Sequence, residues 1–250
     1  MANISLKVSV NEYNGDNGLV GFANVVFNDE YALEGIRIRE GKYGAIIDLP
    51  QYSVAKKDEQ GNAIKDATGK PIYDYKDVLH PTSPEVNSAF AKVIKQEYAK
   101  VKSGEKSPKG GNSYTMDGSF EISNVYATPY ERDNLVGLGT VYFGHAFVFD
   151  KVRVKEGQNG VYVEGSMYRA TKRREDGTPE LNEKGENVYE YKPYFHAITT
   201  EAYEKLRDCI VDVLNRKTFG QTQRQSNTQA LGNGNADDDL IPFVDNGQGR

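Results

Sequence analysis

Leu19-Val20-Gly21, Glu40-Gly41, Gly44, Gly61, Gly69, Tyr73, Tyr75, Lys76 and His80 recur in the same order and spacing. They return as Leu135-Val136-Gly137, Glu156-Gly157, Gly160, Gly177, Gly185, Tyr189, Tyr191, Lys192 and His196, each 116 positions later. Residues 19–98 are therefore written a second time, without a gap, as residues 135–214. A period of this length is too long for a solenoid repeat and has the size of a small domain. The reading that follows is two tandem copies of one domain.

Within each copy the patterns are those of an α+β domain. Ile4, Leu6, Val8 and Val10 alternate with polar residues, as in a half-buried strand. Residues 19–27 and 31–40 are rich in β-branched and aromatic residues and flank Asn28-Asp29-Glu30, which predicts an antiparallel hairpin. Residues 45–49 predict the next strand. A polar excursion over 51–76, with turn chemistry at Gly61 and Gly69, reads as a long β-hairpin flap. Ser83-Pro84 supplies a helix cap and a proline at the first helical position, and Val86, Phe90, Val93, Ile94 and Val101 give an apolar helical stripe. In the second copy the strands are expected over 120–126, 135–143, 146–155 and 161–163, the flap over 167–192, and Thr199 and Tyr203, Leu206, Ile210, Val213 and Leu214 repeat cap and stripe.

The division this implies is copy one over 1–102, a linker over 103–116, copy two over 117–220, and a tail over 221–250. A wide apolar stripe on a thin sheet would leave apolar surface exposed, so the copies are expected to pack together as an intrachain pseudo-dimer. Further pairing of whole chains stays open. The tail is rich in Gln, Asn and Gly and predicts disorder. It carries Asp237, Asp238 and Asp239 beside Leu240, Ile241, Pro242 and Phe243, a charge cluster next to an apolar hook suited to docking on a partner. An acidic solubilising tail would explain the three Asp but not the apolar residues.

The composition narrows the function. The single cysteine, Cys209, excludes an intrachain disulfide, and no long apolar run or leader pattern appears, so a cytoplasmic protein without membrane contact is expected. His80 and His196 precede the helices and lack metal-spaced partners, which reads as packing or capping; His145 has no counterpart. There is no nucleophile with a base, no phosphate loop and no paired carboxylate, so neither catalysis, a cofactor nor a metal is expected.

The net charge of −5 argues against a uniformly basic nucleic-acid binder but averages over unlike regions. Seventeen Tyr and no Trp are present. In the flaps, Tyr52, Lys56, Lys57, Tyr73, Tyr75 and Lys76, and then Tyr168, Arg169, Lys172, Arg173, Arg174, Tyr189, Tyr191 and Lys192, interleave aromatic rings with cations. Single-stranded nucleic acid uses that combination, since bases stack on rings while Lys and Arg follow phosphates. The alternative is that these tyrosines pair across hairpins and the charges keep them solvated.

Gly35-Ile36-Arg37-Ile38-Arg39-Glu40-Gly41-Lys42-Tyr43-Gly44, the apolar strand ending at Pro50, and Asp77-Val78-Leu79-His80-Pro81 before a helix resemble the SpoVG family of small nucleic-acid-binding regulators. Here Glu40 stands for the family's turn Asp and Leu79 for its Ala. The second copy keeps Val152-Arg153-Val154, Gly157, Gly160 and His196 but has Ser166 and Ala197 in place of the prolines. The resemblance implies a small antiparallel sheet with a C-terminal helix, normally a homodimer, that binds DNA or RNA. Separately, 237–243 is similar to the acidic tip of bacterial single-stranded-DNA-binding proteins, with Leu240 inserted and seven residues added after Phe243. Three expectations follow. The first is a non-catalytic single-stranded-DNA (or RNA) binding protein of a replication or recombination system such as a phage carries, recruiting partner enzymes through its tip. The second is a sequence-selective DNA or RNA regulator like the family; a pure protein-interaction module is the third reading.

Overall fold

The structure, a computed structural model, describes residues 3–13, 15 and 18–225, with side chains to 217. The tip at 237–243 lies wholly outside these residues. Mostly antiparallel sheet and two helices make it an α+β protein.

Alternation sets the first sheet. In β1 (Asn3–Glu12) the side chains of Ile4, Leu6, Val8 and Val10 are buried, and β2 (Leu19–Phe27), β3 (Tyr31–Gly41) and β4 (Gly44–Asp48) follow antiparallel. Asn28 and Asp29 turn the β2–β3 hairpin at positive φ, a region Asn and Asp enter more readily than most residues. Then come β5 (Gln51–Ala55), β6 (Tyr73–Asp77), β7 (Leu79–Pro81) and α1 (Pro84–Lys102). Val86 N–H donates to the Ser83 cap at 3.3 Å, and Phe90, Val93, Ile94, Tyr98 and Val101 are buried on the sheet.

The remaining elements run β8 (Asn112–Asp117), β9 (Ile122–Arg132), β10 (Leu135–Phe143), β11 (Phe147–Gly157), β12 (Gly160–Glu164), β13 (Met167–Thr171), β14 (Tyr189–Pro193), β15 (Phe195–Ala197) and α2 (Thr200–Gln225). Thr199 caps α2 by accepting from Ala202 N–H at 3.1 Å. The helix continues five residues past the expected end at 220, taking 221–225 from the expected tail. It lies close on β10 because Gly137 and Gly139 have no side chain there; a Cβ at Gly137 would stand 2.8 Å from Leu214.

Two short strands cross between the halves. β4 covers only the Arg37–Gly41 end of β3, and β15 pairs with the other end, Tyr31 to Leu33. Likewise β12 covers one end of β11, and β7 pairs with Phe147 to Phe149. Each half thus satisfies backbone groups that the other would leave open on a sheet edge.

Beneath these strands the core is aromatic and shared. Phe27 stacks on Phe120 at 4.3 Å and meets Phe147 edge-on at 5.4 Å; Tyr31 stacks on Phe195 at 5.6 Å and meets Phe143 at 5.1 Å. All six rings are essentially inaccessible, and the Tyr31 hydroxyl donates to the Ala202 carbonyl at 3.1 Å. Burial pushes that hydroxyl's pKa above its ordinary range, with nearby carboxylates adding to the effect.

The connection is no simple linker. Its end forms β8, antiparallel to β1, and its middle is fastened to a buried carboxylate. Glu97, with no exposure, accepts from Asn112 Nδ2 at 3.0 Å, from Tyr114 hydroxyl at 2.7 Å and from Ser107 hydroxyl, and lies 3.6 Å from Lys100. Burial raises the Glu97 pKa, but these donors and the Lys100 charge together outweigh it and hold the carboxyl below its ordinary value of 4.5. Read from the sequence the segment is a linker; the buried carboxylate that holds it sits in α1.

The halves also share a bulge facing the crossing strands. Register shifts by one residue between Ala23 and Val25 opposite Gly35 at φ 76°, and between Gly139 and Val141 opposite Lys151 at φ 54°. Lysine is strained in that region whereas glycine is not. Lys151→Gly is expected to stabilise the protein by on the order of 0.5–1 kcal/mol, and Gly35→Ala to destabilise it, its Cβ meeting the Tyr194 ring at 3.2 Å; urea midpoints read both. Glu97→Ala, stranding buried donors, is expected to cost about 1–3 kcal/mol. Because the folded pKa is depressed, the Glu97 contribution is full above the ordinary carboxylate range and lost as pH falls through the folded value. Urea midpoints should therefore fall more steeply with acidification in the parent than in Glu97→Gln.

Candidate nucleic-acid interface

Each flap is rooted in a two-stranded ribbon, β5 with β6 and β13 with β14. Beyond the root it is not the long hairpin expected. Lys56 N–H donates to Ile72 O, Ile64 N–H to Lys56 O, and Ile72 N–H to Ile64 O, each at 2.8 Å, closing a ring of three backbone bonds. Lys172, Glu180 and Val188 form the same ring. Two seven-residue loops leave each ring, and in the first flap Asp58 and Asp66 tie them, each carboxylate taking two backbone N–H groups. The eight-residue spacing of Gly61 to Gly69, and of Gly177 to Gly185, carried this signal; read as turns of one hairpin, it was missed.

The ribbon registers sort the expected site residues by face, since opposite residues of a ladder point the same way and neighbours along a strand point apart. Tyr73 and Tyr75 lie opposite Ala55 and Ser53; Tyr189 and Tyr191 lie opposite Thr171 and Arg169. Tyr75, Tyr189 and Tyr191 are exposed, at 66%, 44% and 61%, and Tyr73 is half-buried. The Arg169 guanidinium carbon stands 3.4 Å from the Tyr189 ring centroid, so one cation and two rings share a surface there.

Lys76 and Lys192 face the other way, opposite Tyr52 and Tyr168. Interleaving along the chain becomes separation in space. Tyr52 is no stacking platform: it is buried, its hydroxyl 3.5 Å from Asp150 of the second half, and burial raises its pKa. Tyr168 is half-buried, donates to Glu34 at 3.0 Å and leans on Tyr194 at 4.8 Å; burial raises its pKa too. Both tyrosines join one half's flap root to the other half's sheet.

Three of the expected cations are matched by acids. Lys56 pairs with Asp74 at 3.1 Å, Lys172 with Glu180 at 2.9 Å and Lys192 with Glu190 at 2.9 Å. Arg173 donates to the Gly177 carbonyl at 2.7 Å, Arg174 is exposed at the loop base, and Lys57 bridges to Ala63 through its backbone. Residues 51–77 hold five Lys and five acidic residues, and residues 167–193 hold six of each sign. Such flaps offer rings and individual cations, not a strongly positive groove. His80 and His196 lie in β7 and β15, the crossing strands. Among the described residues no group of three or more His, Cys, Asp or Glu is gathered as for a metal, and no helix is long and apolar enough to cross a membrane.

The model of the SpoVG family matches residues 4–100. Among curated relatives, the putative septation protein SpoVG of Aster yellows witches'-broom phytoplasma is 28% identical over 91 residues, covering 36% of this chain and 76% of the relative. That of Caldanaerobacter subterraneus subsp. tengcongensis is 25% identical over 95 residues (38% and 87%), and that of Clostridium novyi 24% over 110 residues (44% and 94%). No solved structure matches. With its apolar strands, crossing β7 and capped α1, the stretch from residue 4 to 100 is a SpoVG family domain.

Proposed function

We propose that this chain is a non-catalytic SpoVG-like regulator that binds DNA or RNA with sequence selectivity, built from two SpoVG-like copies packed as an intrachain pseudo-dimer. The observation that carries the reading is the SpoVG domain at 4–100, whose relatives are named putative septation proteins. Support for the paired arrangement comes from the reciprocal crossing of β7 and β15 and the shared aromatic core. On this reading the domains run 1–102 and 117–220, the chain supplying by covalent linkage what the family obtains by association.

A second reading is favoured by one feature, the tyrosines exposed on one face of each ribbon with Arg169 beside them. It makes the chain a sequence-tolerant single-stranded-DNA-binding protein, with Asp237 to Asp239 and Leu240 to Phe243 recruiting replication or recombination enzymes. The charge balance of the flaps weighs against it, because tolerant binding draws most of its affinity from phosphate neutralisation.

Selection from random duplex and RNA pools, beside titration of dT oligomers, tests the two. The regulator reading expects enrichment of particular sequences and weak dT binding. Tight, steeply salt-dependent dT binding without enrichment would instead establish the second reading, and Tyr75→Ala with Tyr191→Ala should then weaken it by about 1–3 kcal/mol per lost stack. If nothing binds, both readings fall. The paired arrangement is tested separately by expressing residues 1–111 and 112–225 as two chains: co-purification is expected, and two stable, non-associating halves would refute it.

A further inference from the structure

The second half holds a cavity of about 160 Å³ where α2, β15 and the second flap root meet. Its walls are apolar, chiefly Phe149, Val163, Met167, Phe195 and Leu206. The charged group among its lining residues, Glu164, is already held by Lys155 at 2.6 Å and Arg153 at 3.2 Å. Tyr203 hydroxyl accepts the Val163 N–H at 3.2 Å. His196 also lines the cavity, and its Nδ1 is buried and without a hydrogen-bond partner among the described residues, an uncommon condition for a polar atom.

The residues found 116 positions earlier differ in size and polarity. Phe90 stands for Leu206, Leu49 for Gly165 and Ile47 for Val163, while Gln51 Nε2 donates to Asp77 at 2.8 Å where the second half has Met167 and Pro193. Conversely Leu33 and Leu79 become Phe149 and Phe195, which meet edge-on at 4.5 Å. The second half has thus lost bulk and polarity here and gained aromatic walls. An apolar cavity of roughly this size, about 150 Å³, accommodates benzene.

We propose that this cavity is a binding site for a small neutral monocyclic aromatic molecule bearing one hydroxyl or amino group, the ring among the apolar walls and the substituent on His196 Nδ1. Neutrality follows from the paired state of Glu164, and a single polar substituent from the one unmatched atom. Such a ligand touches a crossing strand, a helix and a flap root at once, so its occupancy would brace the joint between the halves. The site does not depend on nucleic-acid binding.

Calorimetric titration of the full chain with phenol and with benzene tests it. Both are expected to saturate one site, phenol more tightly. His196→Leu should weaken phenol about 2- to 10-fold and leave benzene unchanged, while Leu206→Phe should abolish both. Val163→Ile is a milder filling that keeps the test intact if Leu206→Phe fails to fold. The proposal is overturned if neither compound saturates up to the solubility of benzene, if both filling variants bind as the parent does, or if His196→Leu leaves phenol binding unchanged.

Discussion

Backbone pairing between the halves is the constraint on which the architecture rests. β3 and β11 are eleven residues long, their hairpin partners β4 and β12 five. The leftover edge has unpaired N–H and C=O groups that a folded protein must satisfy or expose to water. Three residues from the other half do this in each case, and because β7 and β15 immediately precede α1 and α2, each crossing fixes where a helix begins. The helices then bring Phe90 and Leu206 onto the sheets, and the rings of Phe27, Tyr31, Phe120, Phe143, Phe147 and Phe195 close between. Separating the halves would open two sheet edges and one aromatic core together.

The flaps follow from the same joint. Tyr52 and Tyr168, which look like partners of Tyr75 and Tyr191, point instead into the other half, where Asp150 and Glu34 receive their hydroxyls. They anchor the roots and leave Tyr75, Tyr189 and Tyr191 to face solvent. Acidic neighbours at the loops cancel the cations, so any affinity for a polyanion must come from local geometry more than from long-range attraction.

The two halves are not equivalent in detail. Glu97 and the segment after α1 make β8 a sixth strand beside β1, whereas β9, in the corresponding place, ends its sheet. At that edge Val125 N–H is met by Asn124 Oδ1 and position 129 is proline, two devices that discourage a further strand. Near α2 the exchange of Phe90 for Leu206 and Leu49 for Gly165 leaves a hollow.

The sequence by itself determined the local plan. Alternation at Ile4 to Val10, the Ser83-Pro84 and Thr199 caps and the helical stripes are each set within a short window, because strand and helix periodicity and capping depend on near neighbours; the 116-residue recurrence is legible by setting the chain against itself. The SpoVG resemblance was legible at Gly35 to Pro50 for the same reason, as a run of consecutive residues. Only the tertiary structure decided which tyrosines are surface, that 112–117 is a strand, that β7 and β15 cross, and that His196 borders a cavity. Those outcomes turn on partners far along the chain: Asp150 for Tyr52, Glu97 for Asn112, Val148 for His80, Leu206 for the space beside His196. Burial and pairing are properties of the assembled neighbourhood, and residue type alone does not carry them.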